Sequence, residues 1–252
     1  MNVVACYKVV PDIQDISVLS NGSVSLEKAT KIIGEYDLVA IEEAVRLAEV
    51  TEGKAFLLSA GGLELEDSKL LKGALSRGAE GLYRVVDESL TRADSFQAAA
   101  ILAAAIKEVD FDLVICGEGS ADLYSQQVGI LLGELLSLPV LNAVSSITAK
   151  DGSILIEREL ENEIEVLEVQ LPAVISVTTS INLPRIPQLK DILAAGKKPV
   201  QTIMMDKIGD IAASNISIKS TLAPENIDRK QLIYETASDD NIAALASDIK
   251  IA

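Results

Sequence analysis

The stretch "FDLVICGEGSADLYSQQVGILLGE", residues 111–134, decides the fold. Its first six residues are an apolar run and read as a buried strand. From Val128, "VGILLGELL" reads as a helix. Small residues and one Asp fill the gap. A strand, a glycine-rich turn and a helix start form a common cradle for a phosphate, because unpaired amides and the helix dipole favour an anion there. The motif is neither Gly-x-Gly-x-x-Gly nor a P-loop, which ends in Gly-Lys-Ser/Thr. Gly117 and Gly119 are expected to supply backbone freedom. The amides of Ser125, Gln126, Gln127 and Val128 are expected to point out of the helix start. Asp122, beside a phosphate, would orient backbone amides or accept from a ribose hydroxyl. Gly129 and Gly133, four apart, predict a helix lying close on a sheet. On these residues alone an ordinary strand–helix loop is an equal reading.

Upstream, the same alternation repeats. "NVVACYKVV" (2–10), "KAFLLSA" (54–60) and "GLYRVVD" (81–87) read as strands. Helices are expected in "LVAIEEAVRLAEV", with Leu38, Ile41, Val45 and Ala48 on one face and Asp37 as its cap, and in "LEDSKLLKGALSR". A third is expected in "ADSFQAAAILAAAIKE", with Thr91 and Asp94 resembling a capping box. Asn21-Gly22 predicts a small hairpin. Strand–helix alternation of this kind implies an α/β fold, a doubly wound and mainly parallel sheet, with ligands outside the carboxyl ends of the strands.

After Pro139 the pattern changes. Asp151-Gly152 predicts a hairpin. "EIEVLEVQL" alternates, with a phase slip at Leu167 that predicts a bulge, and "AVISVTT" reads as a buried strand. From Ser180 the chain turns irregular, with Pro184, Pro187 and Pro199. Residues 1–199 read as the nucleotide-binding domain. Residues 200–252 read as an extended C-terminal arm needing a partner surface, or as a disordered tail, with a short helix around "DNIAALASDI".

Composition excludes several functions. Hydrophobic residues make up 49% and aromatics 3%, so the core must be Val, Ile, Leu and Ala, as suits a parallel sheet. A net charge of −16 argues against nucleic acid and anionic membranes. No apolar stretch reaches the ~20 residues of a membrane-spanning helix. The first residues read as a strand and not a signal peptide, so a cytoplasmic location is expected. Cys6 and Cys116 read as buried, inert thiols. There is no His, which removes Ser-His-Asp and Cys-His catalysis and the commonest zinc ligand. No catalytic or metal-binding residue is assigned, and any chemistry is expected to belong to a cofactor.

Several segments together resemble the beta subunit of electron transfer flavoproteins. Lys8 followed by Pro11-Asp12, "YDLVAIEEAVRLAE" and the loop "GEGSADLYSQQVG" are similar to that family. So is "IERELENEIEVLEVQLPAVIS", with Arg158, Glu161, Glu163, Glu165, Pro172 and Val174-Ile175 at the signature positions and Asn162 where Gly or Asp is usual. "NLPRIPQLKDILAAGKK" resembles the family's loop between sheet and arm. The resemblance spans essentially the whole chain, and within the family it lies nearest the branch linked to carnitine metabolism and nitrogen fixation.

The resemblance implies an adenine-nucleotide-binding fold in a heterodimer. An alpha subunit carries the electron-transferring FAD, and flavoprotein dehydrogenases deliver electrons to it. The beta subunit wraps alpha with its arm and holds AMP or a second FAD. By position the remaining nucleotide contacts fall on Cys6, on Gly34, Glu35, Tyr36 and Asp37, and on Ala60. Glu159 matches a residue facing alpha's mobile flavin domain, although a Glu-rich surface strand is equally expected of an acidic protein. Leu189 matches the apolar anchor for the dehydrogenase. The loop ending Gln127-Val128-Gly129 lacks the Thr hydroxyl usual for AMP and favours a second FAD, although Ile130 stands where those branches carry Pro. The chain is expected to be a carrier subunit and not a self-contained enzyme. A nucleotide-binding regulator without redox role is the alternative. An adenylate-processing enzyme is disfavoured, because only Glu118 and Asp122 are available at the loop.

Overall fold

The computed structural model describes residues 1–212, 214, 216–225 and 231–251. Among them the elements in chain order are β1 (Asn2–Cys6), β2 (Val9–Pro11), β3 (Ser17–Val18), β4 (Val24–Ser25), β5 (Lys31–Ile33), α1 (Glu35–Val50), β6 (Lys54–Gly61), α2 (Ser68–Leu75), β7 (Gly81–Val86), α3 (Ser95–Ala105), β8 (Leu113–Gly117), α4 (Val128–Leu136), β9 (Val140–Ala149), β10 (Ser153–Glu159), β11 (Ile164–Gln170), β12 (Ala173–Val177), α5 (Leu189–Ala195), β13 (Val200–Thr202), α6 (Met205–Ile208) and α7 (Asp239–Ile251). None of the described helices is long and apolar enough to cross a membrane.

Nine strands form one sheet in the order β11-β10-β9-β12-β8-β1-β6-β7-β13. The pairs from β9 through β12, β8, β1, β6 and β7 to β13 are parallel, and β9-β10-β11 is antiparallel. This is the doubly wound α/β fold expected. Both faces of β1 are buried: Val3 and Ala5 pack with α1 and α2, while Val4 and Cys6 pack with α3 and α4. The alternation of successive side chains to opposite faces explains the continuous apolar run. The strand order reverses beside β1, since β6 and β7 extend to one side and β8 and β12 to the other. The crevice at the carboxyl ends of β1 and β8 is therefore the switch point where such sheets admit ligands.

Four local expectations need correction. The run 2–10 is two strands, because the chain leaves the large sheet after Cys6 and β2 pairs antiparallel with β5. The α3 capping box is Asp94 with Gln97, not Thr91 with Asp94. β11 runs along β10 in unbroken register, so there is no bulge at Leu167. The irregularity lies in β9, where Ala143 takes a left-handed φ of 56° and the register against β10 and β12 shifts. The apparent slip came from Ile164 and Val166, which are apolar but 63% and 58% exposed on the outward face. Finally, the segment after Pro187 is not all loop, since α5 begins at Leu189.

The chain divides into two compact units, residues 1–17 with 25–219, and residues 18–24 with 220–252. β13 and the buried Ile203 and Ile208 belong to the first. In the second, Gly22 turns the hairpin tip with φ 79°, and Ser23 bridges Leu222 antiparallel. Residues 213, 215, 226–230 and 252 of the expected arm lie outside the described residues.

Candidate functional site

The site is built where β1, β6 and β8 end. Tyr7 N–H donates to Leu58 O at 3.0 Å, and Ser59 Oγ donates to Tyr7 O at 2.7 Å, which ties the end of β1 to β6. Lys8 then joins β1 to α1: Gly34 N–H donates to Lys8 O at 2.9 Å, and Lys8 N–H donates to Asp37 Oδ2 at 2.8 Å. Asp37 does not cap α1. The helix starts at Glu35 with Gly34 as its N-cap, so Asp37 sits buried in the first turn, aimed back at β1. Burial pushes its carboxyl up to about 7, outweighing the Lys8 amide and the Lys8 charge.

The loop after β8 passes directly over this turn. A Cβ on Gly117 would lie 2.7 Å from Tyr36 O and 2.9 Å from Asp37 Oδ1, and one on Gly119 would lie 2.6 Å from the Tyr124 ring. Both glycines thus serve close approach and not the backbone freedom expected of them. The left-handed residues of the loop are Tyr124, at φ 44°, and Gln126, at φ 56°. The Tyr124 ring packs on Tyr36 with centroids 5.1 Å apart. Gly129 and Gly133 do bring α4 close to the sheet, since a Cβ on either would strike Ser176 or Val140.

Lys8 Nζ donates to Asp122 Oδ2 at 2.6 Å. Burial opposes the charge on Asp122, but hydrogen bonds from Lys8 and Ser120 and the Lys8 charge outweigh it and hold the carboxyl below its usual range. Its Oδ1 accepts the Leu123 amide at 3.0 Å. At the head of α4, Leu131 N–H donates to Gln127 O and opens the helical ladder. Among the described residues, the amides of Ser125, Gln126, Gln127, Val128, Gly129 and Ile130 have no protein acceptor. Ser125 Oγ lies 3.0 Å from Ser95 Oγ, which ties the loop to the start of α3.

Most of the expected nucleotide-contact residues therefore converge on one crevice. Cys6 and Cys116 lie side by side beneath it as buried free thiols, and Ala60 is half-buried near the end of β6. The Cys6 thiol is pushed up by its hydrogen bond with Cys116 and by burial, which keeps it unreactive. Glu35 stands exposed on the first turn of α1. Two residues are elsewhere. Glu159 ends β10, with β9 and β12 between it and β8. Leu189 is 72% exposed at the start of α5, behind a capping box of Gln188 and Asp191. Sequence reasoning did not assign Lys8 or Tyr124 to the site. The signals for them were one cation at a strand end and one aromatic in a loop of small residues. A separate cavity of about 380 Å³, lined by Met1, Thr51, Asp112, Lys150 and Leu171 among others, opens at the amino ends of the strands, away from the switch point.

Residues 23–207, well over half of the chain, match the electron transfer flavoprotein domain. The chain belongs to the electron transfer flavoprotein family. Within this family of flavin-linked electron carriers, the matched span takes in α1, the 118–127 loop, α4 and Leu189. Cys6 and Lys8 lie before it. The crevice suits a nucleotide phosphate: six amides without protein acceptors at a helix start, one lysine and a glycine floor are the donor set an anion requires. Lys8 and the amides of residues 125–128 could hold a phosphate, Asp122 could orient them or accept from a ribose hydroxyl, and backbone atoms at Cys6 and Ala60 could meet the base.

Proposed function

We propose that this chain is the beta-type subunit of a heterodimeric electron transfer flavoprotein, holding an adenine nucleotide at the end of β1 and β8. The observation that carries this is the row of amides at residues 125–130 without protein acceptors at the start of α4, inside the family match, on the loop whose Asp122 pairs with Lys8. Lys8 is the cation of the crevice. Asp122 holds it in place, and an incoming phosphate would share or take its ammonium group. The protein positions, and the flavin supplies the electron-transfer chemistry when bound. With Val128 at the helix start there is an amide for the phosphate but no hydroxyl, which favours a dinucleotide, a second FAD, over AMP. A second flavin would permit the splitting of electron pairs between two acceptors.

The alpha subunit is the proposed partner of the arm, residues 200–252. Ile216, Ile218, Leu222, Leu232, Ile233, Ile242 and Ile249 are each more than half exposed there, a run of apolar side chains suited to a partner surface. Glu159 is proposed to face alpha's flavin domain, and Leu189 to dock the flavoprotein dehydrogenase. Two buried free thiols accord with a cytoplasmic location.

The test is flavin and AMP stoichiometry per purified heterodimer. Two FAD and no AMP is the expected result. One FAD with one AMP would remove the second-flavin reading, and no nucleotide on this chain would remove the phosphate role of the loop.

A further inference from the structure

Residues 182–187, on the way from β12 to α5, have no regular structure, yet they carry two of the most exposed apolar side chains among the described residues. Leu183 is 91% and Ile186 89% exposed, and Leu189 follows at 72%. A peptide of this kind with two prolines has few backbone bonds to hold it. Among the described residues its tethers run to α1 and to the residues just after α2. Asn182 Nδ2 donates to Val39 O and to Glu43 Oε2, both at 3.0 Å. Arg77 Nη1 donates to Arg185 O at 2.7 Å. The remaining tethers belong to Arg185. Its backbone N–H donates to Glu42 Oε2 at 3.0 Å, its Nε to the same oxygen at 2.8 Å and its Nη2 to Glu42 Oε1 at 3.1 Å. Nη1 and Nη2 also donate to Glu49 at 2.8 and 3.2 Å.

Glu42 and Glu49 are two helical turns apart on one face of α1. One planar guanidinium therefore spans two carboxylates, a geometry that lysine cannot reproduce. Glu42 is buried, with its side chain only 8% exposed. An ion pair at such a position is a weak source of stability compared with apolar packing. It does fix orientation. The anchored residues, 182 and 185, alternate with the displayed ones, 183 and 186, so the polar groups hold the peptide down while the apolar groups face out.

We propose that Arg185 is the positioning residue of the docking segment: it clamps residues 182–188 to α1 so that Leu183, Ile186 and Leu189 stand in one preset arrangement for the electron-donating flavoprotein. This rests on the docking role proposed for Leu189. A preordered segment loses less conformational freedom when the partner binds, so affinity and not turnover should depend on the clamp.

The experiment uses the whole heterodimer and the flavoprotein dehydrogenase that reduces it. Hydrogen–deuterium exchange is read on peptides covering 178–198, and KM and kcat are read with the heterodimer as the varied substrate. Arg185→Gln is expected to speed exchange of 182–188 at least tenfold and to raise KM about tenfold, with kcat and flavin content within twofold. Arg185→Lys is expected to fall between. Leu189→Ala is expected to raise KM without changing exchange. If Leu189→Ala leaves KM unaltered, the docking role of Leu189 fails, independently of the clamp. If Leu189→Ala raises KM while Arg185→Gln leaves either exchange or KM unaltered, the clamp is overturned. Should Arg185→Gln not fold, Glu49→Gln removes the outer half of the fork from an exposed position. It must then show the same two changes at smaller amplitude, or the inference fails.

Discussion

Asp37→Asn tests the electrostatics beneath the crevice. Asp37 is 7% exposed, and burial moves its carboxyl from an ordinary 3.8 to about 7. The folded protein therefore holds this proton more tightly than the unfolded chain. Between those two values the folded state binds more protons, so stability falls as pH rises, and above about 7 the loss is complete. At about 1.4 kcal/mol per pH unit, the part of that loss lying between pH 5.5 and 7 is about 2 kcal/mol. An asparagine keeps an oxygen to accept the Lys8 N–H and carries no charge at any pH. The variant should thus gain about 2 kcal/mol on the wild type as pH rises from 5.5 to 8. Glu43, also pushed up by burial, is common to both proteins and cancels in the difference. Urea unfolding followed by circular dichroism at pH 5.5, 6.5, 7.5 and 8.0 measures it. Parallel stability profiles for the two proteins would refute the buried-charge argument.

Two further substitutions address the loop. Gly117→Ala places a Cβ 2.7 Å from Tyr36 O, a backbone atom that cannot swing aside, so a loss of about 1–3 kcal/mol and of bound nucleotide is expected; thermal melting and nucleotide release from the purified protein report both. Val128→Thr adds a hydroxyl at the helix start, and a hydrogen bond to a charged phosphate is worth about 1.5–3 kcal/mol, so AMP affinity measured by calorimetry should rise roughly tenfold or more.

Local pattern made some elements readable. α4 lies where "VGILLGELL" placed it, and the Asp151-Gly152 hairpin falls between β9 and β10, because glycine spacing and turn chemistry act over a few residues. The contact of α4 with the sheet was also legible, since two glycines on one helix face have few other uses. The roles of Gly117 and Gly119 were not, because the crowding comes from Tyr36, Asp37 and Tyr124 and not from their own backbone.

By itself the sequence determined the strand–helix alternation, the composition of the core and the glycine-rich loop before α4, since each depends on near neighbours in the chain. Only the tertiary structure decided that the run 2–10 breaks at Tyr7 and Lys8, that Asp37 turns inward to take the Lys8 amide, that Lys8 meets Asp122, and that Arg185 reaches Glu42 and Glu49. Those pairs lie 29 to 143 residues apart. No periodicity records which distant carboxylate a given cation will find; that follows from how the strands order themselves and from which ends they bring together.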